Sequence, residues 1–410
     1  MGAGVKQAGA GAAKENAAVK GKRGIQARAD KERELEIYIH IPFCVRKCLY
    51  CDFLSAPADE GTRERYLEAL LTEIRGRGKE YAGRPVTSVF FGGGTPSLLG
   101  GAQIKGLLDT LSGSFLLARD AEITLEANPG TVDPEKLSAY ARAGVNRLSI
   151  GLQSADNGEL SAIGRIHTWE QFLEAYHQAR QAGFANINVD LMSTLPGQSL
   201  ESYCSTLKKV LSLAPPPEHI SAYSLILEEG TPLYDRYQAG LADIPDEDTD
   251  RRMYQETKRM LGEAGYRRYE ISNYAKEGFA CRHNCGYWRR KDYLGLGLGA
   301  SSMTGNVRFK NGEELSRYLR DPLGCRQDVQ RLAVTEQMEE YMFLGLRLTD
   351  GVEAGGFQEA FGCTPGEKYG SVIDKNIQDG LLEYRDEGRR LALTERGLDL
   401  ANYVMAQFLA

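Results

Sequence analysis

Six times along the chain a short apolar run gives way to a polar loop and then to an amphipathic stretch. The runs fall at 35–43 (LEIYIHIPF), 86–93 (VTSVFFGG), 122–130 (EITLEANPG), 147–154 (RLSIGLQS), 186–196 (NINVDLMSTLP) and 219–230 (HISAYSLILEEG). Between them, TRERYLEALLTEI from Thr62 and TWEQFLEAYHQARQAGF from Thr168 place apolar residues at helical spacing behind a threonine cap, the second ending at Gly183. Strand and helix in alternation build a parallel sheet. Right-handed crossovers curl such a sheet and carry every strand end that leads into a helix to one face, where barrel enzymes keep their sites. The expected fold is α/β, a partial parallel (β/α)6-type barrel. Glu126, Gln153 and Asp190 each close an apolar run, as a barrel with a polar mouth requires. In the first run, alternation puts Ile37, Ile39 and Ile41 on one face and Tyr38 with His40 on the other.

A chain of 410 residues, 42% hydrophobic and 26% charged, buries a large core and has room for more than one domain. Residues 1–34 read as a disordered Ala/Gly/Lys-rich arm with eight basic and four acidic side chains and no signal-peptide or membrane-span run. The barrel takes 35–245, a helical extension 246–334, and a C-terminal domain 335–410. Eight cysteines in so long a chain are too few for a disulfide scaffold, and the expected compartment is the reducing cytoplasm.

Three of those cysteines, Cys44, Cys48 and Cys51, follow the first strand in the pattern Cys-x3-Cys-x2-Cys. Three thiolates in one loop suit an iron–sulfur cluster, and in a four-iron cube they leave one iron without a protein ligand, a place for a substrate or cofactor. A zinc site with His40 as fourth ligand is the competing reading; its usual spacers are paired two-residue ones. FFGGGTP, residues 90–96, ends the second strand with three glycines that let the backbone approach a ligand, and it lacks the lysine of a phosphate loop.

Taken together, the cysteine loop, GGGTP, EANPG, GLQS and LPGQ resemble the radical S-adenosylmethionine superfamily, in the branch that holds the anaerobic coproporphyrinogen III dehydrogenase and the HemW-type haem chaperones. The resemblance runs from about residue 35 to the C-terminus. It implies a 4Fe-4S cluster on Cys44, Cys48 and Cys51, with S-adenosylmethionine on the fourth iron and open to one-electron cleavage. It also implies Tyr38 and Tyr50 beside that cofactor, Gly93, Gly94 and Thr95 at its methionine end, and Glu126, Gln153, Arg165 and Asp190 on its amino, carboxylate and ribose groups. The dehydrogenase typically carries another cysteine two positions after the third; here Phe53 stands there. Its N-terminal lid is replaced by the Ala/Gly/Lys arm.

Downstream, CRHNCGYW at 281–288 matches the His-Asn-x-x-Tyr-Trp signature of the chaperone type. The resemblance implies haem as a third cofactor, with His283 a candidate ligand, and transfer of haem to an acceptor haemoprotein; Tyr287 and Trp288 offer flat surface to a porphyrin. Cys281 and Cys285 flank the histidine, and an otherwise ordinary packed loop is the plain reading of the same residues. The reading admits a membrane-bound respiratory acceptor, a peripheral position at the inner face of the membrane, and a homodimer. Oxidative decarboxylation of a porphyrinogen is the alternative activity.

YLGLGLGASSM, Tyr293 to Met303, reads as a further strand and turn near the barrel mouth. The last segment resembles a winged helix: strand, turn at Gly388, strand, and a helix capped by Thr394. From Thr335 onward there are fourteen acidic and seven basic residues, a net of −7, which opposes phosphate contact and nucleic-acid binding.

Overall fold

The structure is a computed structural model and describes residues 33–409. All of the expected N-terminal arm except Arg33 and Glu34 lies outside the described residues. Six strands run parallel and in chain order: β1 (Leu35–Ile41), β2 (Pro85–Gly93), β3 (Leu116–Ala127), β4 (Arg147–Gln153), β5 (Ile187–Ser193) and β6 (His219–Ser224). The sheet does not close, because β6 pairs antiparallel with β8 (Asn273–Ala275), itself joined to β7 (Arg267–Arg268). At the other edge β1 has a seventh parallel neighbour, β9 (Asp292–Leu296), followed by antiparallel β10 (Ser301–Thr304), β11 (Val307–Asn311) and β12 (Arg326–Arg331). The glycine-rich stretch from Tyr293 supplies β9, a turn and β10.

Alternation along β1 does what the sequence asks of it. Leu35, Ile37, Ile39 and Ile41 are fully buried under the crossover helices, packed with Tyr66, Leu70, Ile74 and Phe91. Each such side chain contributes roughly 1.5–3 kcal/mol on leaving water. Tyr38 and His40 face the other way, into the barrel, and the Tyr38 hydroxyl meets His40 Nδ1 at 3.0 Å.

Several boundaries differ from the expected ones for identifiable reasons. β1 ends at Ile41 because Pro42 has no N–H for the ladder. β3 begins at Leu116, pairing with Pro85 and Val86 through a half-exposed stretch that shows no apolar run. β6 stops at Ser224, leaving Leu225 and Ile226 in a loop above the barrel. The first helix spans Glu60–Glu80 and is capped by Asp59, whose carboxylate accepts from Thr62 N; Thr62 lies inside it. Asp190 does not close β5: three buried residues follow it in the strand, and it is polar because its side chain faces the barrel interior.

A second core gathers Met338, Met342, Phe357, Ile373, Leu391 and Phe408. It sits between helices and a three-stranded sheet of β13 (Val352–Glu353), β14 (Leu382–Arg385) and β15 (Arg390–Leu393), in the order β13-β15-β14. Gly388, at φ +85°, turns the hairpin, and Thr394 caps the helix Glu395–Asp399, as the pattern requires. Among the described residues no helix is long and apolar enough to cross a membrane.

Candidate cofactor site

Where the strands point their carboxyl ends, the loop after β1 folds over a cavity of about 400 Å³. Cys44, Cys48 and Cys51 line it together with Tyr50, Gly93, Gly94, Thr95, Glu126, Gln153, Arg165 and Asp190. Eleven of the thirteen residues singled out by sequence thus share one wall-to-wall space; Tyr38 and His283 do not border it.

Two glycines let the chain fold this tightly. Gly94 donates to Ile41 O at 2.8 Å, and a Cβ there would lie 2.7 Å from Phe43 O. Gly93 has φ +108°, and a Cβ on it would stand 2.4 Å from the His40 ring. The freed Gly93 N–H donates to the Glu126 carboxylate at 3.1 Å. Burial, with the nearby charge of Asp190 second, pushes the Glu126 carboxyl up to about 8. Asp190 is raised as well, mainly by burial, although Asn188 and Ser149 donate to it at 2.8 and 3.1 Å.

Donors converge on the cysteine loop. Thr95 Oγ1 lies 3.5 Å from Cys44 Sγ, and Arg165 Nη1 lies 3.7 Å from Cys48 Sγ. Arg165 Nη2 is fixed by Asn128 Oδ1 at 2.6 Å and Gly151 O at 2.8 Å, so the guanidinium is a built part of the wall and not one half of a surface ion pair. The carboxamide Oε1 of Gln153 is buried and has no hydrogen-bond partner, and the same holds for Arg165 Nε. Gln153 itself sits at φ +66°, which turns it off the strand and over the cavity.

His40 is already spent, with Nδ1 on Tyr38 and Nε2 2.8 Å from Leu54 O. The tetrahedron that a zinc reading needs is therefore not assembled. Three thiols around a roomy cavity with arginine and hydroxyl donors instead fit a larger, sulfur-held group that leaves room for a second ligand.

His283 lies on the barrel-interior face of β2, against Ser88 and Phe90, in the short helix Arg282–Trp288. It is 1% exposed; Nδ1 meets Ser88 Oγ at 2.8 Å and Nε2 meets Tyr287 Oη at 2.9 Å. Its ring stacks on Phe90 at 5.2 Å, and burial lowers its pKa to about 3, so it is neutral. Trp288 is covered by the Arg347 guanidinium, 4.3 Å above the ring, and so joins the barrel to the C-terminal domain. Arg347 thus covers one face of Trp288, while the Tyr287 hydroxyl is held by His283.

The model of the radical SAM superfamily matches residues 38–210, and that of the HemN C-terminal domain matches 332–400. The protein named heme chaperone HemW of Lactococcus lactis is 37% identical over 91% of this chain and 96% of its own length. Its namesake from Escherichia coli is 38% identical over 92% of this chain and 98% of its own. This chain belongs to the HemW family of the radical SAM superfamily. Among solved structures, coproporphyrinogen III oxidase (HemN) of Escherichia coli, described as a radical SAM enzyme, superposes with a TM-score of 0.80 at 25% identity, over 95% of this chain and 93% of that one.

Of the wall residues that went unread in the sequence of this HemW-family member, two bear most directly on the site. Asn128 donates to Thr95 Oγ1 at 3.0 Å and accepts from Arg165, tying the GGGTP turn to the arginine; its signal was its place inside EANPG. Tyr223 near the end of β6 also faces the cavity and gave no pattern to find it by.

Proposed function

We propose that this chain is a haem chaperone of the cytoplasm that holds a 4Fe-4S cluster and S-adenosylmethionine in the cysteine cavity, binds haem, and hands it to an acceptor haemoprotein. The observation that carries this reading is identity of 37–38% over nearly the full length of relatives named heme chaperone HemW. The site supports it: Cys44, Cys48 and Cys51 would hold the cluster, and Gly93, Gly94 and Thr95 would receive the methionine end of the cofactor. Glu126, Gln153, Arg165 and Asp190 would hold its polar groups, with Tyr50 beside them and Tyr38 behind, through His40. When bound, the cluster supplies one electron for cleaving the cofactor's sulfonium bond. The protein's own part is to exclude water and aim donors and acceptors at the bound cofactor.

His283 enters as a candidate haem ligand on condition that Ser88 and Tyr287 release its ring. The solved HemN structure favours a second reading, oxidative decarboxylation of a porphyrinogen, which Phe53 opposes by standing where that enzyme type carries a cysteine. Anaerobic incubation of reconstituted protein with S-adenosylmethionine, reductant and coproporphyrinogen III separates the two. No protoporphyrinogen is expected, whereas haem added to the same protein gives saturable absorbance changes. Turnover to protoporphyrinogen would defeat the chaperone assignment, and unchanged haem affinity in His283→Ala would remove that histidine from it.

A further inference from the structure

Behind the cysteine cavity, sharing Glu126, Ser149 and Asp190 as a common wall, the barrel encloses a second space of about 280 Å³. Arg147, at the start of β4, opens into it while only 2% exposed. Its Nε is buried without a hydrogen-bond partner, and among the described residues no salt bridge reaches the guanidinium, which feels the charges of Glu122 and Asp190 only from beyond contact. Burial opposes the charge of such a guanidinium and its N–H groups are left unused, so an incoming anion would find donors already desolvated and in place.

The nearby acids are occupied or neutral. Glu122 accepts from the Arg282 and His283 backbone N–H groups at 3.0 and 3.1 Å and from Cys281 Sγ at 3.4 Å, so it serves the Arg282–Trp288 helix. Asp190 is held by Asn188 and Ser149, and Glu126 keeps its proton near neutral pH for the reasons given above. His219 is neutral and bonded to Asn188 and Tyr269. Asn284, from the His-Asn-x-x-Tyr-Trp motif, faces the same space and makes no side-chain hydrogen bond to the described residues. The buried His283 therefore braces the helix that brings its neighbour Asn284 to the same space as Arg147.

We propose that Arg147 and Asn284 form a carboxylate-binding subsite inside the barrel, next to the cofactor cavity, which receives the carboxylate arm of a ligand lodged at that cavity. A guanidinium fork takes a carboxylate through two parallel N–H bonds, and the primary amide adds a third donor. Haem, on the reading proposed above, carries two such arms; S-adenosylmethionine carries one.

The probe is propionate, with propionamide as its neutral twin, added to the full anaerobically reconstituted chain and followed by saturation-transfer NMR. Wild type binds propionate saturably and propionamide at least about tenfold more weakly, as loss of a charge-assisted pair predicts. Arg147→Met and Asn284→Asp both abolish the propionate signal. Asn284→Asp, which puts an anion into the space, keeps or raises the unfolding temperature and so guards against mere misfolding. Equal binding of the two probes, or wild-type propionate binding in Asn284→Asp, overturns the subsite. Titrations with haem against its dimethyl ester, and with S-adenosylmethionine, then name the donor of the arm. A preference for the diacid that both variants lose points to the porphyrin, and a loss of S-adenosylmethionine affinity points to the methionyl carboxylate. If wild type binds no haem at all while propionate still binds, the function proposed above fails and the subsite stands.

Discussion

Cys48 carries the clearest consequence of any single residue, because its thiolate is one of only three in the loop. Cys48→Ala should lose the brown chromophore and most bound iron while circular dichroism shows the barrel folded; full iron content would mean that other residues hold the metal. Glu36, in β1, is 1% exposed with one carboxylate oxygen unpartnered, and burial raises its pKa to about 8 despite the charge of Lys291. In the unfolded chain that carboxyl releases its proton near its ordinary value of 4.5. Its stabilising contribution is therefore complete below that value and is lost as pH rises toward 8. Glu36→Gln, which cannot ionise, should gain on wild type across this window by on the order of 2–4 kcal/mol, read from urea midpoints at pH 5 and pH 8. A difference that stays constant with pH would show that Glu36 is ionised in the fold. Neither the burial of Glu36 nor the orphaned Arg147 was legible in the sequence, since both depend on which face of a strand turns inward at full depth.

The elements that the sequence revealed best are the six parallel strands, legible as apolar runs because both their faces are covered, and the two helices, whose single buried face sets a helical period. What it concealed were features set by partners distant in the chain: the parallel addition of β9 beside β1, the early start of β3, and the place of Asp190 in mid-strand. The Arg282–Trp288 helix is the sharpest case. Its motif implied a candidate haem ligand and flat aromatic surface but nothing of how the helix is seated, which is by contact, with Gly286 so close to β1 that a Cβ would lie 2.0 Å from the Glu36 carboxylate. Gly286→Ala should therefore push this helix off the sheet and destabilise the chain by about 1–3 kcal/mol, measured by urea unfolding. An unperturbed midpoint would mean that the helix has room to shift.

At the scale of the whole molecule, two cores meet along a polar seam. Glu340, 5% exposed on the C-terminal side, accepts from Arg290 at 2.8 Å and Arg308 at 2.7 Å on the barrel side, next to the Arg347–Trp288 contact. Glu340→Ala leaves Arg290 buried without its anion and should cost about 3 kcal/mol, seen as faster hydrogen exchange confined to residues 334–408. Uniform exchange across both parts would place the two cores in one cooperative unit. The cysteine cavity lies on the barrel side of this seam, and its chemistry was legible because three thiols with fixed spacing leave few alternatives. Mössbauer spectroscopy of the anaerobically reconstituted protein, before and after S-adenosylmethionine, tests that centre most directly. The account predicts about four irons per chain in one cube, a single iron changing its signal when the cofactor is added; zinc in their place, or a cube indifferent to the cofactor, would contradict it.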